Sequence, residues 1–230
     1  MTGHTMPELS ARRGDFDRWY ADLFGWRPSD VHVVDAIGGD TFPHAELVDG
    51  LIISGSACTV LDRAPWSEAS KSWILDVIQH GIPTLGVCYG HQLIADGLGG
   101  RVGVNPAGRE IGVCTVKACA DDPLFDGLPE EFAVIQTHVD TVLEMPQSAT
   151  EIALSDKGRF QALAIGDHVR TVQWHPEFDA DIISHYIDVR SAIIDSESGA
   201  GTAALLKARV CDVESGRIIA RNFLTHFMKS

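Results

Sequence analysis

Apolar and polar positions run along this chain in two rhythms. Over residues 15–24, Phe16, Trp19, Tyr20 and Leu23 recur at helical spacing, which predicts an amphipathic helix. Residues 31–36 then read as a strand, ended by Gly38-Gly39. Gly50-Leu-Ile-Ile-Ser-Gly is a short apolar run between glycines, the pattern of a buried strand. Residues 66–80 carry Trp66, Trp73, Ile74, Val77 and Ile78 at helical spacing. Pro83-Thr-Leu-Gly-Val-Cys is another short apolar run, and His91 to Leu98 resumes helical spacing until Gly99-Gly100 stops it. Strands alternating with helices predict a parallel sheet with right-handed crossovers.

The second half is richer in strands. The pattern places them at 111–118, 132–137, 151–154, 160–165 and 169–174, with helices at 179–194 and 219–228. Residues 195–201, Asp-Ser-Glu-Ser-Gly-Ala-Gly, read as a flexible loop. No linker divides the chain, so residues 1–230 are expected to form a single domain.

Composition narrows the partners. The formal net charge is −14. Phosphate contacts need clustered Lys and Arg, so nucleic acid is excluded as an expected partner. No apolar run approaches the length of a membrane span, and no basic segment leads into an apolar one at the N-terminus. Five cysteines, Cys58, Cys88, Cys114, Cys119 and Cys211, stand at irregular spacing, which reads as reduced thiols in a cytoplasmic protein. Cys114 and Cys119 fall on opposite faces of one strand and read as small core residues, and Cys58 reads as a packed thiol. The scattered histidines lack ligand-spaced partners, so neither metal nor cofactor is expected.

Chemistry concentrates at Gly86-Val-Cys-Tyr-Gly-His-Gln, where a buried strand gives way to a helix. A sharp turn there exposes the Cys88 sulfur, and the helix N-terminus favours its thiolate. Gly86 and Gly90 keep the elbow free of side chains. A buried structural cysteine near a turn is the plain alternative. A thiolate nucleophile needs a base and the base an orienter. Val172-Gln-Trp-His-Pro-Glu-Phe offers both: His175 to move the proton, Glu177 to hold its tautomer. Small residues at Ser54-Gly55-Ser56 suit an oxyanion hole, with donors from the Ser56 and Tyr89 N–H groups and Gly55 allowing the turn. Thr137-His138-Val139-Asp140 follows another apolar strand. His138 is a candidate to line the pocket and Asp140 to hold the loop; a surface histidine at a strand end accounts for His138 equally well.

Together these segments resemble the class I, triad-type glutamine amidotransferases. The Gly-x-Cys-x-Gly-x-Gln motif is met by Gly86, Cys88, Gly90 and Gln92, and His-Pro-Glu by His175, Pro176 and Glu177. The resemblance covers roughly residues 31–178. It implies an α/β, flavodoxin-like three-layer sandwich with a mixed, mostly parallel central sheet. It implies attack of Cys88 on the side-chain amide of L-glutamine, a γ-glutamyl thioester, and a role for Gln92 in holding the amino-acid end of glutamine. By the same resemblance, segment 137–140 lies near the substrate. Many members have Gly-Gly-Pro where this chain has Gly55-Ser56-Ala57. That pattern, with Gly108-Arg-Glu-Ile-Gly, is similar to stand-alone members related to the glutaminase portion of GMP synthase.

No phosphate-binding loop accompanies these motifs, so the ammonia acceptor is expected on a separate synthetase partner. Two alternatives stand beside that reading. One is a γ-glutamyl peptidase acting on peptides or conjugates. The other is a non-catalytic regulatory module, which an intact Cys88, His175 and Glu177 argues against.

Overall fold

A computed structural model describes residues 1–228. Two short helices open the chain, α1 (Pro7–Arg13) and α2 (Phe16–Phe24). Then come β1 (Leu51–Ile53), α3 (Pro65–Gln79), β2 (Thr84–Val87), α4 (Tyr89–Gly97) and β3 (Arg101–Val104). Five strands follow: β4 (Glu110–Ala118), β5 (Glu131–His138), β6 (Asp140–Glu144), β7 (Ala149–Ser155) and β8 (Gly158–Ile165). After β9 (Val169–Val172) the rest is helical: α5 (Ala180–Val189), α6 (Ser191–Ser198), α7 (Thr202–Ala208) and α8 (Ser215–His226).

Seven strands make one mixed sheet in the order β1-β2-β9-β8-β7-β4-β5, and β3 and β6 form a separate antiparallel ribbon. The parallel part is confined to β1, β2 and β9. The remaining pairings are antiparallel, so parallel strands are fewer than the "mostly parallel" expectation. The reason lies in the connections. Helices α3 and α4 stand between the early strands, whereas turns join β7 to β8 and β8 to β9. The sheet buries a separate apolar cluster on each face. One holds Ile74 and Ile78 of α3 with Leu93 and Ile94 of α4. The other gathers Phe16, Trp19 and Tyr20 of α2, Ile182 and Ile183 of α5, and Ile219 and Phe223 of α8. Strand β2 is buried along its whole length, which explains its uninterrupted apolar run.

Four further expectations need correction. Residues 31–35 are extended but belong to no strand ladder. Their strand-like backbone bonds go to Met1, which receives the Ala36 N–H at 3.0 Å and gives its amino group to the Val34 carbonyl. Segment 179–194 is two helices, broken at Arg190, whose φ and ψ are −98° and 6° and whose guanidinium lies over the Tyr186 ring at 4.6 Å. Residues 195–201 are not a loop throughout: α6 runs to Ser198, Gly199 and Gly201 adopt positive φ in the short turn that follows, and the Asp195 carboxylate accepts the Ala203 N–H at 2.8 Å. Cys58 and Cys119 are exposed rather than packed, because one lies in a surface loop and the other just beyond the end of β4.

Helix α8 braces the turn after β9. A Cβ at Gly216 would collide with the Pro176 carbonyl oxygen, a backbone atom with no freedom to yield. Gly216→Ala is therefore expected to cost about 1–3 kcal/mol in urea denaturation. An unchanged midpoint would show that α8 does not hold this turn.

Candidate active site

Cys88 closes β2 and opens α4. Its N–H donates to the Val172 carbonyl at 2.9 Å, the last rung of the β2–β9 ladder. Its carbonyl accepts the Gln92 N–H at 3.1 Å, the first turn of α4. Serving both elements forces φ to 50° and ψ to −98°, a left-handed conformation that a side chain enters at a cost of about 1–3 kcal/mol. The glycines around it leave no alternative. A Cβ on Gly90 would lie 2.8 Å from the Ile53 carbonyl oxygen, and one on Gly86 would lie 2.9 Å from that of Gly90.

His175 enters from the neighbouring strand. Beyond β9 the chain stays pinned to the sheet, with the Gln173 N–H on the Gln161 carbonyl at 2.7 Å and the His175 N–H on Ile135 at 2.8 Å. The ring Nδ1 lies 2.8 Å from Glu177 Oε1, and both side chains are buried. Phe178 stacks on the imidazole with centroids 4.1 Å apart, and Phe16 of α2 flanks it at 6.4 Å. Burial alone would disfavour imidazolium, but the charges of Glu177 and Cys88 outweigh it and push His175 up to about 10. Tyr20 of α2 is buried beside Glu177, and burial first, then that carboxylate, raises its pKa well above the ordinary tyrosine value.

The expected oxyanion segment faces this ring. A Cβ on Gly55 would come within 2.6 Å of His175 Cε1, so only glycine lets the two approach. Thr2 holds the segment from behind, donating its N–H to Ser54 Oγ at 3.0 Å and its hydroxyl to the Ser54 carbonyl at 2.8 Å. Gly3 packs on Ser56, where a Cβ would lie 2.8 Å from Cα. The Ser56 hydroxyl accepts the Cys58 N–H at 3.1 Å, within its own loop. The Tyr89 hydroxyl meets Ser67 Oγ at 2.6 Å, and its ring stacks on Trp66 at 5.7 Å. Burial pushes this phenol up to about 12. What Tyr89 presents at the elbow is its first-turn N–H, a position without an intrahelical acceptor.

Gln92, His138 and Asp140 close on one another in a buried knot. Gln92 Nε2 donates to the Asp140 carbonyl at 2.8 Å and to Gln173 Oε1 at 3.1 Å. His138 Nδ1 shares that carbonyl at 2.9 Å, while its Nε2 lies 2.6 Å from Gln136 Oε1 and 3.3 Å from Glu110 Oε2. Asp140 thus contributes backbone, not carboxylate, to the knot. Burial would raise the Glu110 pKa, but its bonds to His138, Ser155 and Gln161 hold it below the usual glutamate value. His91, inside the elbow motif, is bound to Thr171 Oγ1 at 2.7 Å, and burial lowers it to about 3, so it stays neutral.

The structure therefore gathers Cys88, His175, Glu177 and Gly55 at the C-terminal ends of three adjacent parallel strands, with Ser56 and Tyr89 alongside. Thr2, Tyr20, Phe178 and Glu110 were missed. Tyr20 reads as one more apolar-face residue of α2, and nothing in the pattern marks its hydroxyl. A thiol, an imidazole and an orienting carboxylate in this order can carry out acyl transfer with backbone amides to stabilise an oxyanion.

Comparison with known proteins fits this class. The glutamine amidotransferase class-I family model matches residues 29–187, more than half of the chain, and the chain belongs to that family. It is 37% identical to a glutamine-hydrolyzing GMP synthase from Thermomicrobium roseum over 71% of this chain, but over only 30% of that protein. It is 29% identical to gamma-glutamyl peptidase 5 of Arabidopsis thaliana, covering 76% of this chain and 73% of the relative. Against one glutamine-hydrolyzing GMP synthase subunit from Archaeoglobus fulgidus, identity is 33% over 70% of this chain and 87% of that one. Among solved structures, a glutamine amidotransferase from Thermotoga maritima superposes with a TM-score of 0.75 at 23% identity, covering 91% and 90% of the two chains. The fold is thus that of the class I amidotransferases.

The raised His175 pKa sets a pH window. The stability that protonated His175 contributes is complete below its ordinary value of about 6.5 and is lost as pH rises through about 10. Glu177→Gln removes the strongest influence favouring imidazolium. It is expected to lower the pH of His175 deprotonation by about one unit or more, followed by NMR of the ring. An unmoved titration would show that Glu177 does not govern the charge of His175.

Proposed function

We propose that this chain hydrolyses the side-chain amide of L-glutamine through a γ-glutamyl thioester on Cys88. The observation that carries the reading is the buried His175–Glu177 pair at 2.8 Å, set against Gly55. The Cys88 thiolate attacks the amide carbon, and the carbonyl oxygen becomes an oxyanion held by N–H groups of the Gly55-Ser56 segment and Tyr89. Imidazolium at His175 gives its proton to the leaving nitrogen, and ammonia departs as the C–N bond breaks. His175, now neutral, takes a proton from water. The water attacks the thioester, and glutamate leaves with Cys88 regenerated as thiolate beside imidazolium. Glu177 keeps the Nδ1 proton in place throughout. The knot of Gln92, His138 and Asp140 fixes the loop that borders the amino-acid end of glutamine.

Residues 1–230 act in this reading as a single glutaminase domain in the cytoplasm, delivering ammonia to a separate synthetase. The likeness to the Archaeoglobus GMP synthase subunit, over 87% of that protein, supports a two-chain arrangement. A second reading has its own support. The gamma-glutamyl peptidase of Arabidopsis matches over about three quarters of both chains, whereas the chain spans less than a third of the Thermomicrobium GMP synthase. The same thioester then forms from a γ-glutamyl peptide, with an amine leaving in place of ammonia.

Glutamate release from L-glutamine and from γ-glutamyl dipeptides separates the two. Turnover of glutamine is expected, and Cys88→Ala is expected to lower it at least about 10³-fold. Peptide turnover with none on glutamine would replace the first reading by the second. Equal activity in wild type and Cys88→Ala would defeat both.

A further inference from the structure

Two titratable side chains in the interior take no part in the chemistry at Cys88. Glu110 opens β4 and His138 closes β5, and the two stand directly opposite in the antiparallel ladder. Their side chains are 3% and 2% exposed, with Nε2 and Oε2 3.3 Å apart. Ionisable groups so deeply buried are either neutral or paired. What each neighbouring atom can donate or accept decides between the two.

Glu110 is met by donors. Its Oε1 accepts the Ser155 hydroxyl at 2.9 Å, and its Oε2 accepts the Gln161 amide at 3.1 Å. Burial favours the neutral acid, but His138, Ser155 and Gln161 together favour the carboxylate. His138 is met by acceptors. Its Nδ1 lies 2.9 Å from the Asp140 carbonyl oxygen. Its Nε2 lies 2.6 Å from Gln136 Oε1 and 3.3 Å from Glu110 Oε2. A neutral imidazole carries a single N–H, so one ring nitrogen would turn its lone pair toward oxygen lone pairs. Reversing the Gln136 amide would offer Nε2 an N–H, but it would leave Glu110 Oε2 facing the same lone pair. Both nitrogens are satisfied together only when both carry protons.

We propose that His138 is held as a buried imidazolium by Glu110, and that the pair is a positioning device for the glutamine site. The joint is the Asp140 carbonyl, which accepts both the His138 Nδ1–H and the Gln92 Nε2–H, the latter at 2.8 Å. Gln92 stands one turn beyond Cys88, with its backbone N–H on the Cys88 carbonyl. Its side-chain amide also reaches Gln173 Oε1 at 3.1 Å, two residues before His175. A carbonyl bonded to a cation is held more firmly than one bonded to a neutral ring. The start of β6 and the first turn of α4 are therefore fixed to each other through one charge. The hydrogen bonds of Glu110 and His138 end on Ser155, Gln161, Gln136 and Asp140, not on Cys88, His175 or Glu177. Losing the pair would thus loosen substrate binding more than it slows the chemistry. The positioning role rests on the glutaminase reading, whereas the charge of His138 does not.

The test is ring-nitrogen NMR of the histidine-labelled full chain near neutral pH, with His138 assigned by its loss in His138→Gln. Both His138 nitrogens are expected to resonate as protonated in the wild type. Glu110→Gln removes the counter-charge, and the ring is expected to become neutral because an unpaired buried cation is unfavourable. The same variant is expected to raise KM for glutamine about tenfold or more while kcat stays within about threefold. Glu110→Asp keeps the charge and is expected to retain the imidazolium and recover most of the affinity. A neutral His138 in the wild type would overturn the proposal, and that spectrum needs no variant to fold. An imidazolium that persists in Glu110→Gln would overturn the pairing, and a neutral ring with unchanged KM would overturn the positioning role. Absence of glutamine turnover in the wild type would count against the glutaminase reading, and the ring spectrum would still decide the ion pair.

Discussion

The structure turns on the double duty of one backbone unit. Cys88 finishes a parallel ladder through its N–H and starts a helix through its carbonyl, and these two bonds fix it at positive φ. The strain is local and the surroundings hold it. Gly86, Gly90 and Gly55 each sit where a single methyl group would meet backbone or the His175 ring at less than van der Waals distance. Three strands must therefore end side by side with almost no side-chain volume between them. That requirement explains why β1, β2 and β9 are parallel neighbours while the rest of the sheet is built from antiparallel connections.

Electrostatics complete what the backbone begins. Placing His175 in the interior would strip its proton, yet its interactions with Glu177 on one side and Cys88 on the other make imidazolium the favoured form. Aromatic rings from α2 and from the turn itself exclude water around the pair, which strengthens both interactions. A second buried polar group links Glu110 to His138, and His138 and Gln92 to the Asp140 carbonyl, so it stiffens the loop at Asp140.

Much of this was legible in the chain because the elbow is a local device. Gly86-Val-Cys-Tyr-Gly and His175-Pro-Glu carry their geometry in adjacent residues, and short apolar runs bounded by glycine mark β1 and β2. What the sequence hid depends on distant partners. Residues 31–36 have a strand's composition but lack a ladder, because a strand exists only when a neighbour pairs with it. Arg190 breaks a helix without Gly or Pro. Tyr20 is buried beside Glu177 from a helix more than a hundred residues away, and no periodicity distinguishes it from a core aromatic. Gln92 and His138 carry residue types suited to substrate contact, yet both bond to the Asp140 carbonyl of their own frame.

The central claim is covalent chemistry at Cys88. It is tested most directly by mixing the protein with L-glutamine, quenching in acid within the turnover time, and locating any γ-glutamyl adduct by peptide mass spectrometry. The expected result is a single adduct on Cys88 that disappears as glutamate is released. Glutamate release with no adduct on Cys88 at any time, or with the adduct on another residue, would contradict the account.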